Sequence, residues 1–282
     1  MVTSIRSPRV KAARALAKRA LRERSRLFLA EGPQAVREAL GSEQGDRGSL
    51  VTELFVTGPA RARHAELVSA VVRTGAPVHE VSGEVMAELA QTVTPQGLLA
   101  VCPFVDVPLA DVISAQPRLV VVLASVRDPG NAGTVLRTAD AAGAQGVIFA
   151  GASVDPYNSK CVRSSAGSLF HLPLVLGASV SDAVTALRGA GLAVLAADGS
   201  ATTGLDDLDR GGRLGRPTAW LFGNEAWGLP ADVVALADEA VAVPIYGQAE
   251  SLNLAAAAAV CLYASARAQY GGAAQSHGHA RL

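Results

Sequence analysis

RLVVVLASV, residues 118–126, is a run made almost entirely of aliphatic and β-branched side chains. Such a run is typical of a parallel strand that helices cover on both faces. From this run onward we predict strands in alternation with helices, a pattern that predicts an α/β layered domain. The strands are predicted at 119–124, 146–150, 193–197, 219–222 and 240–243, and the helices at 131–142, 158–165, 179–190, 230–237 and 251–269.

The residues before this run show a second, smaller α/β pattern. We predict helices at 32–40, 62–75 and 83–92 and strands at 53–58, 77–82 and 97–102. Prolines at 103, 108 and 117 favour a linker between the two patterns. The predicted organisation is a basic N-terminal extension at 1–26, a small domain at 27–104, a linker at 105–117, a larger domain at 118–270 and a disordered tail at 271–282.

The composition predicts a compact globular protein. Of the 282 residues, 50% are hydrophobic and 18% are charged, which excludes wholesale disorder. No apolar run approaches the roughly 20 residues that a membrane span requires, and the first 30 residues lack a signal-peptide core, so we expect a cytoplasmic protein without membrane contact. The three cysteines stand far apart and carboxylates do not cluster; we therefore expect neither a disulfide framework nor a metal site.

The formal net charge is zero, yet it is unevenly distributed. Residues 1–30 contain nine Lys and Arg residues and one acid, Glu23, which leaves 16 of the 25 basic and 24 of the 25 acidic residues for the rest of the chain. A basic arm on an acidic body favours a local contact with phosphates. The alternative is a solvated helical face whose other side buries Leu16, Ala20 and the apolar run at 27–29.

Three short segments carry the candidate chemistry. In NAGTVLRTA (131–139), Asn131 is placed to cap a helix, and Arg137 lies in a nearly apolar helix where its burial would require an anionic partner. The plain alternative is that the asparagine is only a cap and the arginine only a solvated charge. In LFGNEAWGLP (221–230), a strand ends at Phe222 and Gly223 would let a ligand approach the backbone.

The carboxylate of Glu225 comes directly after that strand end. It could cap the helix that begins near residue 230, or it could orient Arg137 or a substrate group. The third segment, VPIYGQAESLNLA (243–255), places Ser251 and Asn253 before a run of alanines. Taken alone, this segment is most simply an Ala-rich core helix with a serine N-cap. A further stretch at 155–174 holds Lys160 and Arg163 three residues apart, which fits either phosphate contact or an ordinary helix surface.

Together these segments resemble the three signature motifs of the SpoU branch of the SPOUT RNA methyltransferases, the TrmH-like 2′-O-ribose methylases. The pattern NxGxxxRTA is matched at every defining position, and GNEAxGL follows in order. The resemblance implies a deep trefoil knot in the C-terminal α/β domain, a small L30e-like domain before it, S-adenosylmethionine as cofactor and a homodimer. A dinucleotide-binding fold is disfavoured because no GxGxxG joins a strand to a helix.

The resemblance also implies roles for individual residues. The catalytic set is Asn131, Arg137, Glu225, Ser251 and Asn253. The implied S-adenosylmethionine contacts are Leu221, Phe222, Gly223, Asn224, Gly228, Ile245, Ser251, Leu252 and Leu254. The expected RNA contacts are Arg22, Arg24, Arg26, Arg137, Lys160 and Arg163.

The expected reaction is methyl transfer from S-adenosylmethionine to a ribose 2′-hydroxyl. We expect the substrate to be 23S rRNA, because the domain order resembles that of 23S rRNA methylases and of the thiostrepton-resistance methylase. The alternatives are tRNA ribose methylation, methylation of a base, and a non-catalytic RNA-binding protein with the same fold. Two roles stay open for Arg137: the resemblance implies a catalytic base, but since arginine stays protonated at neutral pH, the alternative is that it holds the phosphate beside the target ribose, with Asn131 and Glu225 orienting it.

Overall fold

The computed structural model describes residues 2–41, 48–90 and 92–271, and the chain within it forms two compact units. Unit 1 comprises the chain up to Val105 together with Asp155–His171, and unit 2 comprises Asp106–Val154 and the chain from Leu172 onward. The tail predicted to be disordered lies, apart from residue 271, outside the described residues. No helix in the described part of the chain is long and apolar enough to cross a bilayer.

Unit 1 contains a four-stranded sheet in the order β1-β4-β2-β3. β4 pairs antiparallel with β1 and with β2, whereas β2 and β3 are parallel. The strands are β1 Leu27–Glu31, β2 Glu53–Thr57, β3 Val78–Val81 and β4 Leu98–Pro103, and the helices of this part of the chain are α1 Pro8–Ala15, α2 Arg19–Ser25, α3 Pro33–Leu40, α4 Gly58–Arg63, α5 Ala65–Arg73 and α6 Gly83–Leu89. The predicted helix at 62–75 is thus two helices, which meet at His64.

The N-terminal extension is part of the core of unit 1. Val10, Ala13 and Leu16 are buried against Leu29, Phe55 and other residues of the sheet and α6. The alternative of a helical face with one buried side therefore describes 1–26 better than a free arm does. The apolar run at 27–29, however, forms strand β1 rather than a helix face, because its backbone pairs with β4.

Unit 2 contains a seven-stranded sheet in the order β7-β6-β5-β10-β8-β11-β9, and all its pairings are parallel. The strands are β5 Leu119–Ala124, β6 Val147–Ala150, β7 Leu174–Leu176, β8 Ala193–Ala197, β9 Thr203–Gly204, β10 Thr218–Phe222 and β11 Glu239–Ala242. The five predicted strands are confirmed, and β7 and β9 were not predicted. Every residue of β5 is buried, as expected for a central parallel strand.

The remaining helices are α7 Leu109–Ser114, α8 Pro129–Ala141, α9 Ser159–Ser164, α10 Val180–Gly189, α11 Leu205–Arg210, α12 Ala231–Val234 and α13 Leu254–Tyr270, of which α9 belongs to unit 1. The stretch predicted as a linker contains α7, and Val112 of this helix is buried in the core of unit 2. Pro108 precedes the first helical residue, a position that proline tolerates. The α/β prediction is confirmed, and the knot stays a prediction.

The segment Asp155–His171 packs into unit 1 through aromatic contacts. The buried ring of Tyr157 stacks on Phe104, with 3.7 Å between ring centroids, and lies 4.8 Å from the ring of Phe28. Phe170 also stacks on Phe28, with 5.8 Å between ring centroids. The hydroxyl of Tyr157 also accepts the Val105 N–H at 2.8 Å. Unit 1 is therefore completed by residues that come from the middle of the chain.

Candidate functional site

A cavity of about 270 Å³ lies in unit 2 at the carboxyl ends of β8, β10 and β11. This edge of an open parallel sheet is where ligands bind in α/β proteins. Two sides of the cavity come from the segments 222–228 and 250–257, and the third comes from the end of β8. Its lining residues are Ala197, Asp198, Gly199, Phe222, Gly223, Asn224, Glu225, Ala226, Gly228, Val241, Val243, Ile245, Glu250, Ser251, Leu252, Leu254 and Ala257.

The loop that follows β10 is held in one shape by its own hydrogen bonds. Asn224 and Gly228 exchange two backbone hydrogen bonds of 2.9 Å. The side chain of Asn224 accepts the Ala226 N–H at 2.8 Å and donates to the Ser125 carbonyl at 2.9 Å. Gly228 has a φ of 67°, in the left-handed region that favours glycine. The loop therefore presents the next residue, Glu225, in a fixed direction.

The carboxylate of Glu225 receives three N–H groups. Its two oxygens accept the backbone N–H of Arg127 at 3.1 Å and of Asp128 at 3.0 Å. The side-chain amide of Asn131 donates to the same carboxylate at 3.3 Å, and the Asn131 carbonyl oxygen accepts from the amide of Asn253 at 3.1 Å. A continuous chain of hydrogen bonds, Glu225–Asn131–Asn253, thus joins the three sequence motifs beside the cavity.

The helix caps differ from those predicted. Asp128 caps α8, accepting the Asn131 N–H at 2.8 Å, so Asn131 lies within the first turn and its side chain is available to Glu225. Asn253 caps α13 by accepting the Ala255 and Ala256 N–H groups, whereas Ser251 lies two residues earlier and lines the cavity. The predicted caps Asn131 and Ser251 were wrong because the N-cap is the last residue with non-helical dihedral angles, which is Asp128 in α8 and Asn253 in α13.

Arg137 lies on the exposed side of α8. Within the described residues its guanidinium has no hydrogen-bond or ion-pair partner, and the carboxylate of Glu225 binds Asn131 and backbone N–H groups instead. The predicted orientation of Arg137 by Glu225 is therefore not seen. Because the arginine is solvated, it needs no anionic partner within the protein, and its charge is available to a polyanion.

The predicted cofactor residues lie at the cavity, with one exception. Leu221 is fully buried in the core of unit 2, because successive strand residues point to opposite faces of the sheet. The other members of the predicted set line the cavity. The cavity is also lined by three residues that were not predicted: Asp198 and Gly199, which follow β8, and Glu250. The signal for the first two was the strand prediction at 193–197, since parallel strands end at a common edge.

The residues predicted to contact RNA fall into different environments within unit 1. The Arg22 side chain is buried; it donates to Asp155 at 2.6 and 3.0 Å and to the carbonyls of Leu16 and Ala17. Its predicted RNA contact was wrong, because this guanidinium serves the packing of α2. Arg24 and Arg26 are exposed on α2 and at its C-terminal end. Lys160 is exposed on α9.

Arg163 is engaged in an ion pair. Its guanidinium lies 3.3 Å from the carboxylate of Glu31, whose side chain is only 7% exposed. Burial raises the pKa of Glu31, and the neighbouring Arg163 acts in the opposite direction. Among the described residues there is no group of three or more His, Cys, Asp or Glu side chains able to hold a metal ion.

A parallel sheet with a cavity at its carboxyl edge, a carboxylate–amide chain beside that cavity and a second α/β unit are the features of a cofactor-binding α/β enzyme with an accessory domain. Residues 118–263 match the SpoU rRNA Methylase family, and residues 7–100 match the MRM3-like substrate binding domain. The chain belongs to the SpoU rRNA methylase family.

Relatives of known name resemble the chain over nearly its whole length. The AdoMet-bound rRNA methyltransferase from Sinorhizobium meliloti is 34% identical with a TM-score of 0.81, covering 94% of this chain and 96% of that chain. The 23S rRNA (guanosine(2553)-2'-O)-methyltransferase RlmP of Bacillus subtilis is 32% identical over 93% of this chain and 97% of its own length. AviRb from Streptomyces viridochromogenes, in complex with AdoMet, is 32% identical with a TM-score of 0.77, covering 93% and 98%.

Proposed function

We propose that the protein transfers a methyl group from S-adenosylmethionine to a ribose 2′-hydroxyl of 23S rRNA. The observation that carries the proposal is the hydrogen-bonded chain Glu225–Asn131–Asn253 beside the cavity. It unites the three motifs that resemble those of ribose methylases. Support for the substrate comes from relatives named as 23S rRNA 2'-O-methyltransferases, and support for the cofactor comes from AdoMet-bound structures of similar proteins.

The cavity residues fit this cofactor. Ile245 and Leu252 offer apolar surface for a flat heteroaromatic ring, and the absence of a side chain at Gly223 lets the backbone at 223 and 228 approach closely in the loop that lines the cavity. The carboxylates of Asp198 and Glu250 add acceptors suited to a diol and a positive charge. When bound, S-adenosylmethionine supplies an electrophilic methyl group.

Arg137 and the polar chain supply what the hydroxyl requires. A ribose hydroxyl is a poor nucleophile until its proton is lost, and a nearby cation lowers the free energy of the developing alkoxide. Arginine stays protonated, so Arg137 acts by charge, holding the phosphate beside the target ribose. Asn131 is fixed on both sides, by Glu225 and by Asn253, and can direct a polar group toward the hydroxyl without reorganisation.

The proposed assembly is a cytoplasmic homodimer. Three large apolar or aromatic side chains of α13 are exposed along unit 2, namely Val260, Tyr263 and Tyr270. A helix with such a face is stabilised when a second copy covers it. We assign the remaining RNA contacts to Arg24, Arg26 and Lys160, which lie exposed on unit 1. Arg163 is added because its side chain stays 32% exposed beside its ion pair with Glu31.

The test is transfer of a labelled methyl group from S-adenosylmethionine to 23S rRNA and tRNA transcripts. Arg137→Ala should abolish transfer while the affinity for S-adenosylmethionine is kept. Arg216→Ala is the matched control, because it removes another exposed arginine of unit 2 that does not line the cavity. Light scattering of the purified protein should give the mass of a dimer.

Each result has a definite meaning for the proposal. Label in 23S rRNA at a linkage that resists alkaline cleavage supports ribose methylation, since only a 2′-O-methyl group blocks that cleavage. Label at an alkali-sensitive linkage would show base methylation. Label in tRNA alone would overturn the substrate, and a folded protein that binds RNA without transferring a methyl group would be a binding module.

A further inference from the structure

Trp227 is an exposed tryptophan at the candidate active site. The chain has two tryptophans. Trp220 is fully buried in β10 and donates from its indole nitrogen to the Ser265 hydroxyl at 2.8 Å. The side chain of Trp227, in contrast, is 58% exposed, although tryptophan is among the side chains that gain most from burial. An indole ring exposed on a loop is accessible to a ligand, and burying it against that ligand would be favourable.

The loop that carries Trp227 borders the cavity, although Trp227 itself is not one of the lining residues. Its neighbours Ala226 and Gly228 both line the cavity, and Glu225 lies two residues before it. The paired backbone hydrogen bonds between Asn224 and Gly228 close the loop on either side of the ring. The backbone that carries the ring is therefore held in one conformation before a ligand binds, which lowers the entropic cost of binding.

A second side chain completes the arrangement. The guanidinium of Arg127 lies 5.9 Å from the centroid of the Trp227 ring, within the range of a cation–π contact. The backbone N–H of Arg127 donates to Glu225, so the carboxylate that fixes Asn131 also fixes the backbone of this arginine. The backbone of Arg127 is thus tied, through Glu225, to the loop that carries Trp227.

An aromatic ring beside a guanidinium is the pair on which unpaired RNA bases stack. We propose that Trp227 and Arg127 form a stacking platform for an unpaired base at, or adjacent to, the nucleotide that is methylated. This inference rests on the proposed function and assigns to it two positioning residues for the RNA. A positive charge next to the ring favours a polyanion over an apolar protein surface as the occupant. Because every base has a π face, the platform contributes affinity and position rather than base identity.

The test uses Trp227 as its own reporter, because the other tryptophan is buried. A 23S rRNA transcript added to the full-length protein should quench the exposed tryptophan emission, and Trp227→Phe should lose that quenching while the emission of Trp220 stays unchanged. In methyl-transfer kinetics, Trp227→Ala should raise the KM for RNA about 5- to 150-fold, the range expected for loss of one base–aromatic stack. Trp227→Phe should recover most of the affinity, because phenylalanine also stacks.

Comparing the KM for RNA with the affinity for S-adenosylmethionine distinguishes a residue that positions RNA from one that only stabilises the fold. The affinity of Trp227→Ala for S-adenosylmethionine should stay within about twofold of wild type, and Arg127→Ala should raise the KM for RNA by less than Trp227→Ala does. An unchanged KM for RNA in Trp227→Ala, with no quenching in wild type, would overturn the platform. A change of Trp227→Ala from dimer to monomer would also overturn it, since the ring would then be covered by a second copy. If wild type transfers no methyl group, the proposed function fails, whereas quenching still reports whether RNA meets the ring.

Discussion

Gly223 occupies a position where a side chain has no room. A Cβ atom built on it would lie 2.3 Å from the carbonyl carbon of Gly228 and 2.4 Å from its oxygen. Both are backbone atoms, so they cannot rotate away as a flexible side chain would. The backbone at 223 can approach the backbone at 228 only because Gly223 has no Cβ atom. One wall of the cavity depends on this close approach.

We expect Gly223→Ala to reduce the affinity for S-adenosylmethionine at least about tenfold, because the loop would have to open by more than the contact allows and ~1.4 kcal/mol of lost binding corresponds to that factor. Calorimetric titration measures the effect. Gly189→Ala is the control, since Gly189 ends α10, has ordinary dihedral angles and has open space where the methyl group would go. Equal affinities of the two variants would contradict this account of the loop.

Glu31 is a nearly buried carboxylate whose charge Arg163 offsets. Burial raises its pKa above that of the unfolded chain, so the ionised form costs stability as the pH rises through the raised pKa. Below the ordinary pKa of glutamate the side chain is protonated in both states and needs no cation. The contribution of Arg163 is therefore present at neutral and alkaline pH and is lost in acid.

Arg163→Met should lower the free energy of unfolding by about 1–2 kcal/mol at pH 8, a value reduced from that of a fully buried pair because the arginine is partly exposed. The deficit should shrink at pH 4. Denaturant unfolding followed by circular dichroism at the two pH values measures both. Arg24→Met, on an exposed side of α2, should show no such pH dependence. A deficit of equal size at both pH values would mean that packing of the side chain, not its charge, is what Arg163 supplies.

At the scale of elements, α8 and α13 meet the active site at their first turns. Asn253 has two roles there: its oxygen caps α13, and its amide nitrogen donates to Asn131. The cap contributes to helix stability, whereas the donated hydrogen bond fixes the side chain of Asn131, to which we assign a role in the reaction. An aspartate at this position would keep the first role and lose the second, so the two roles can be measured apart.

We expect Asn253→Asp to keep the stability of wild type within a few tenths of a kcal/mol and to reduce kcat about tenfold, the effect of one lost hydrogen bond. Asn253→Ala should lose the same activity and, in addition, about 1 kcal/mol of stability from the missing cap. Thermal unfolding and methyl-transfer rates of the two variants measure the stability and the activity separately. An Asn253→Asp enzyme as fast as wild type would show that the Asn131 contact has no part in the reaction.

Sequence patterns predicted long elements well and short or interrupted ones poorly. The apolar strand at 119–124 and the helices α8, α10 and α13 agree with the predictions to within a few residues. Strands β7 and β9 are three and two residues long, too short for alternation to be recognised. Helix α7 was hidden between prolines that suggested a linker. The motif residues could be chosen from sequence, but the contacts of Glu225 with the backbone at 127 and 128 arise from residues almost 100 positions apart.

At the scale of the whole molecule, the chain passes between the two units three times, after residues 105, 154 and 171. Sequence could not predict this, because Tyr157 meets Phe28 and Phe104 only through the tertiary fold. The buried Arg22–Asp155 pair adds a second link between the N-terminal residues and the inserted segment. The domain bounds predicted from the sequence, 118–270, had placed residues 155–171 in the larger domain.

A fragment that begins at residue 106 should not fold cleanly. Without Phe28 and Phe104, the rings of Tyr157 and Phe170 lose their aromatic neighbours, and Asp155 loses its buried partner. We expect this fragment to bind a hydrophobic dye and to unfold with low cooperativity, while the full-length protein does neither. Dye fluorescence and a thermal scan on both proteins measure this. A fragment as cooperative as the full chain would mean that 155–171 folds without unit 1.

The same insertion sets an order of events during synthesis. The first 105 residues leave the ribosome well before Asp155–His171, and at ~5–20 residues per second the last of the inserted residues follows about 3 to 13 s later. Throughout that interval the nascent N-terminal sheet exposes the face that Tyr157 and Phe170 will cover, so this stretch of the chain is the one a chaperone would meet first. The domain that is translated first is therefore the one that finishes folding only after the first part of its neighbour, residues 106–154, has already been made.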